Sequence, residues 1–188
     1  MQMNKTIRKG LACLALCLLL AAAGCRETPM TIGPSEFSEE TESALELAGD
    51  ETVFFDYQVG EDIQSLELTV WTCFGGQWET AGSTRALVEQ SSGRIALSTN
   101  ERECTLRLAD ETGYTALECP LAVWDVSQEG SVRLAEPVEI QPGQEVALWL
   151  KAGDDGNGLA LKLENFREEA YSSAVAVTAV FSQDPVGE

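Results

Sequence analysis

Leu66-Glu67-Leu68-Thr69-Val70-Trp71-Thr72-Cys73-Phe74-Gly75-Gly76-Gln77-Trp78 is the stretch on which the fold turns. Leu66, Leu68 and Val70 share one parity and Glu67, Thr69 and Trp71 the other, the period of two expected of a strand that buries one face. Gly75-Gly76 supplies two residues that accept positive φ, as a two-residue hairpin turn demands. Such a turn sets Trp78 opposite Cys73 and Thr80 opposite Trp71. Trp71 and Trp78 then fall together on the face away from Leu66, Leu68 and Val70.

The same alternation recurs on both sides of this hairpin. Val53, Phe55, Tyr57 and Val59 form one parity, and further alternating segments run over Arg94 to Thr99, Cys104 to Ala109, Tyr114 to Cys119, Val132 to Leu134, Val138 to Ile140, Glu145 to Lys151, Leu159 to Glu164 and Ser173 to Phe181. Turn residues such as Ser92-Gly93, Pro142-Gly143 and Asp155-Gly156-Asn157-Gly158 separate them. No helix-period segment of ten or more residues competes, although Glu164 to Ala170 has room for a turn or two. About ten short strands in residues 51–188 predict an all-β domain, a single antiparallel β-sandwich for which a jelly roll is one admissible topology.

Upstream the pattern differs. Residues 1–9 carry Lys5, Arg8 and Lys9 without an acid, and Leu11 to Ala23 is an unbroken apolar run, the charged and apolar regions of an export signal. Thirteen residues fall short of the roughly 20 that a helix needs to cross a bilayer. Ala22-Ala23-Gly24-Cys25 closes the run and resembles the lipobox of bacterial lipoproteins, here one of unknown function. The resemblance covers the signal alone. It implies cleavage before Cys25, acylation of the Cys25 sulfur and anchoring in a cell membrane, outside the cytoplasm, by acyl chains each of whose buried methylenes contributes about 0.8 kcal/mol. The expected division is therefore a lipoprotein signal peptide over 1–24, a lipidated cysteine and acidic linker over 25–50, and the sandwich over 51–188. The linker reads as a solvated spacer with a short helix near Thr41 to Leu47; fully extended it spans about 80 to 90 Å.

Charge narrows the choice of partners. The chain has 188 residues, 31 acids, 12 bases and no histidine, for a formal charge of −19. From Cys25 onward it keeps all the acids and nine of the bases. Nucleic acid is excluded as a partner because phosphate binding needs a basic face. Without histidine there is no Ser-His-Asp or Cys-His nucleophile pair and no His-ligated metal.

Once the signal is removed and Cys25 acylated, Cys73, Cys104 and Cys119 remain in a compartment where disulfides form. If Cys104 to Cys119 is a hairpin, apolar parity favours the register that opposes Leu106 to Leu117 and Cys104 to Cys119, making these two the candidate disulfide. Two small buried thiols are the alternative.

Trp71 and Trp78, with Trp149 on the outer parity of Glu145 to Lys151 once Val146, Leu148 and Leu150 point inward, form a candidate binding surface of the kind on which sugar rings stack. Two alternatives stand beside it: a loop such as Leu121 to Val126, with Trp124, covers the rings, or the parity is reversed. Gly153 to Glu164 partly matches a calcium loop but has Gly153 at the first ligand position. A hairpin pairing Leu150 with Leu161 fits better, and no metal or other cofactor is expected. Acids are too numerous to single out a hydrolytic pair. The reading is a non-enzymatic, surface-anchored β-sandwich that binds a glycan, another extracellular ligand or an envelope protein, with a structural or assembly accessory as the alternative.

Overall fold

A computed structural model describes residues 29–48, 52–100, 102–109, 114–121, 128–154, 160–169 and 171–186. Cys25, Trp124 and the whole Asp155-to-Gly158 turn lie outside these residues. The described chain is an all-β sandwich of two antiparallel sheets. In chain order the strands are β1 Thr31–Pro34, β2 Thr52–Gln58, β3 Ser65–Phe74, β4 Gln77–Leu87, β5 Ser92–Thr99, β6 Glu103–Ala109, β7 Tyr114–Pro120, β8 Gln128–Arg133, β9 Val138–Glu139, β10 Glu145–Asp154 and β11 Ser173–Ser182. One sheet has the order β7-β6-β5-β2-β1-β9 and the other β4-β3-β11-β10-β8.

Between the sheets lies the core that the alternation predicted. Phe55 and Tyr57 of β2, Leu66, Leu68 and Val70 of β3, and Phe181 of β11 are buried there. The rings of Tyr57 and Phe181 meet edge to face, with centroids 5.2 Å apart. Gly75 and Gly76 have φ of 55° and 79°, so the β3–β4 turn takes the positive-φ geometry required by its two residues. Cys73 opposes Trp78 and Trp71 opposes Thr80 as expected, and an irregularity beyond Trp71 then pairs Val70 with Gly82.

The segment expected to be a spacer with one short helix contains that helix and, in addition, a strand. Strand β1 lies inside the first sheet and pairs with both β2 and β9. Ile32 is completely buried, and an added Cβ at Gly33 would lie 2.8 Å from the Pro137 Cα. One apolar residue in a run of small and polar ones gives no periodic signal, so only the tertiary pairing reveals the strand. Helix α1, Glu39–Ala48, starts at Ser38, whose Oγ accepts the Thr41 N–H at 3.3 Å. Glu39, Glu40 and Glu42 occupy its first turn, where the helix dipole favours negative charge.

The expected strand over Leu159 to Glu164 is a second correction. Residues 160–164 join neither sheet, and Leu150 pairs with Ala176 and Val132 rather than Leu161. Strand β11 is buried along nearly its whole length and takes the place beside β10 that a local hairpin would have filled. The turn or two expected over Glu164 to Ala170 is a 3-10 turn, Phe166–Glu168.

Candidate functional site

On the outer face of the second sheet, β11 presents Ala174 and Ala176, flanked by Leu150 and Ala152 of β10 and by Cys73 of β3. These small side chains leave a recess that the chain fills with its own residues 160–169 and 171, called the cover below. Phe166 and Tyr171 are buried in it, and Leu161 and Leu163 pack at its margin. The Phe166 ring meets Trp78 edge to face at 4.7 Å, and Tyr171 does so at 6.2 Å. The Tyr171 hydroxyl accepts the Lys162 N–H and donates to the Ala160 carbonyl, each at 3.4 Å, which ties the two ends of the segment together. The Trp78 Nε1 is buried without a hydrogen-bond partner.

Arg167 fastens this cover to the sheet. Its guanidinium lies over the Trp71 ring at 4.1 Å and donates to both carboxylate oxygens of Glu145, at 2.6 and 2.9 Å. Trp71 in turn donates its Nε1–H to the Thr178 Oγ1 at 3.0 Å, which fixes the ring under the cation. The Arg167 hydrogen bonds hold the Glu145 carboxyl below its ordinary range against the opposing effect of partial burial, with smaller help from Thr178. Glu145 is therefore a fixed anion, the opposite of the raised carboxyl that a general acid needs.

Trp71 and Trp78 thus share the outer face, as the hairpin register predicts, but both are half-buried beneath the cover. The covering alternative is the one found for these two rings, with residues 160–169 and 171 as the cover. Trp149 requires a correction: it is only 5% exposed and lies in the core between the sheets. Ala147 pairs with Thr178 and Trp149 with Val177, leaving Leu148 as an extra residue. That bulge inverts the parity of β10, so Trp149 turns inward and Leu150 outward.

Beside the cover lies a groove of about 860 Å³. Its walls are the end of β8 with the following loop and β9, the start of β10, and residues 163–168 of the cover. Leu134, Val138, Val146, Leu163 and Phe166 supply apolar surface, while Glu136, Glu139, Glu164 and Glu168 outnumber Arg133 around the Glu145–Arg167 pair. Sequence reasoning passed over Arg167, Glu145 and Phe166. One clue was present in Ala174 and Ala176, a small-residue row on the same face as two tryptophans, which implies a recess needing a filler.

The cysteine register follows the sequence. Cys104 and Cys119 are direct partners in the β6–β7 ladder, as are Leu106 and Leu117, and both cysteines are buried free thiols in the structure. Burial first, then the neighbouring Cys119 and Glu103, pushes the Cys104 thiol up to about 12. Cys73, also free, belongs to the covered outer face, where its Sγ donates to the Tyr171 carbonyl at 3.7 Å. Gly153, the weak first position of the calcium pattern, is a buried strand residue paired with Ser173 and Glu129. Among the described residues, no group of three or more Cys, Asp or Glu side chains is placed to hold a metal. Comparison with family models, curated proteins and solved structures found no match to this chain.

Proposed function

We propose that the chain is a non-catalytic lipoprotein, held at a membrane outside the cytoplasm through Cys25, whose β-sandwich binds an extracellular ligand or protein partner in the groove beside the cover. The observation that carries this reading is the construction of the groove. Arg167 is held by the Trp71 face and the Glu145 carboxylate, which positions one wall, and apolar side chains alternate with charges around the opening. Pre-positioned polar groups in an apolar concavity are what a binding site needs. The ionised, arginine-bound state of Glu145 favours recognition over proton transfer. With Trp71 stacked by Arg167 and Trp78 packed against Phe166, a protein segment or a ligand with apolar and basic groups suits the site better than a sugar ring that needs a bare tryptophan.

The accessory reading has its own support in β4, an eleven-residue edge strand that among the described residues pairs only with β3. Open edges accept strands from partners. A photo-crosslinking residue placed in the full-length chain at Ala135, in the groove, or at Ser83, on the β4 edge, separates the two. The groove reading predicts a defined adduct from Ala135 in intact cells, weakened by Glu136→Lys with Glu139→Lys. An adduct from Ser83 with none from Ala135 would transfer the function to the edge.

A further inference from the structure

Cys104 and Cys119 lie outside the groove, on the edge hairpin of the first sheet, with β7 as its outermost strand. Directly opposed residues of an antiparallel ladder have Cα atoms about 4.5 or 5.5 Å apart, depending on the type of pair. Both separations fall within the roughly 4.4–6.8 Å that a disulfide spans. The two side chains point the same way, into the sandwich beside Leu97, Leu106 and Leu117. Opposite them, β4 carries Gly82, where an added Cβ would lie 2.7 Å from the Cys119 Sγ. Glycine at that position leaves room for sulfur where the edge of one sheet meets the edge of the other. Cys73 is on the far face of the second sheet, under the cover, and does not compete for either sulfur.

We propose that Cys104 and Cys119 become a structural disulfide in the exported chain, closing the β6–β7 edge hairpin covalently. The oxidant is a protein disulfide of the thiol–disulfide oxidoreductase class. The Cys119 thiolate attacks one donor sulfur and expels the other as a thiolate, giving a mixed disulfide. The Cys104 thiolate then attacks the Cys119 sulfur and displaces the donor, which leaves with both electrons as a dithiol once the two protons released by the cysteines are accounted for. Both sulfurs are buried in the folded chain, so the exchange occurs while β7 is docking.

The test uses full-length protein from the membrane fraction, quenched in acid, denatured and treated with N-ethylmaleimide before any reduction. After trypsin, Cys73 is expected to carry the label, while the peptides 103–107 and 108–133 appear as one linked species, lighter by two hydrogens, that separates on reduction. Labelling of all three cysteines before reduction, or a link that includes Cys73, overturns the proposal. A second arm incubates reduced, refolding protein with oxidised glutathione: formation of the same link supports the geometry, and failure to form it in a Cys73→Ser chain overturns it. Neither arm depends on what occupies the groove.

Discussion

Phe166→Ala tests whether the cover forms a second core or merely lies on the sheet. Phe166 is 2% exposed, meets Trp78 at 4.7 Å and receives the Arg167 guanidinium over its ring at 4.4 Å. Removing a buried phenylalanine costs about 3–5 kcal/mol, a range that includes lost transfer energy and the cavity left behind. The cover is a single segment with freedom to settle into the gap, so the lower end, about 3 kcal/mol, is expected. Urea unfolding of full-length protein in detergent, followed by tryptophan emission, measures the loss. A red shift of native emission should accompany it as Trp78 loses its cover. Phe37→Ala is the control: Phe37 is half-buried against Phe54 on the other sheet, and its removal should cost about 1 kcal/mol with little change in emission. A loss below about 0.5 kcal/mol for Phe166→Ala, with unchanged emission, would refute the second core.

Trp149→Ala should lower stability by about 3–5 kcal/mol in the same assay because the ring is in the main core; a near-neutral result would restore it to the surface. Gly82→Ala places a methyl group against the Cys119 sulfur and should cost about 1–3 kcal/mol, most of it recovered in Gly82→Ala with Cys119→Ala. Additive losses in that cycle would mean the two positions do not touch. Arginine partners hold both Glu145 and Asp56 below the ordinary carboxylate range, Arg167 for the first and Arg94 for the second. Their contribution is therefore complete above the unfolded value, about pH 4, and lost as pH falls through the folded values. Both pairs are partly exposed, so each contributes only about 0.5–1 kcal/mol, and Glu145→Gln should flatten the acid limb of a stability–pH curve by that amount. An unchanged acid limb would show that Arg167 does not hold Glu145 in solution.

Where turn chemistry and apolar parity agreed, the sequence could be read to the residue: Gly75-Gly76 located the β3–β4 register as far as Trp71, and Leu106 with Leu117 located that of β6–β7. Over Val146 to Leu150 every residue is apolar, so alternation carries no information and the Leu148 bulge that turns Trp149 inward is invisible. Thr31–Pro34 was missed for the opposite reason, a single buried isoleucine being too little to make a pattern. The groove is built from loops and strand ends distant in sequence, and it depends on Arg167 reaching Glu145 across the end of the sheet, a contact no local window contains.

An extracellular partner and a disulfide formed in the cell both presuppose that the chain leaves the cytoplasm, and the proposed anchor is Cys25. Mass spectrometry of the N-terminal peptide from the membrane fraction tests this most directly. The expected result is a peptide beginning at Cys25 with a diacylglyceryl group on its sulfur, absent from a Cys25→Ser chain. An N-terminal peptide that retains residues 1–24, or an unmodified Cys25 in protein from a soluble fraction, would contradict it.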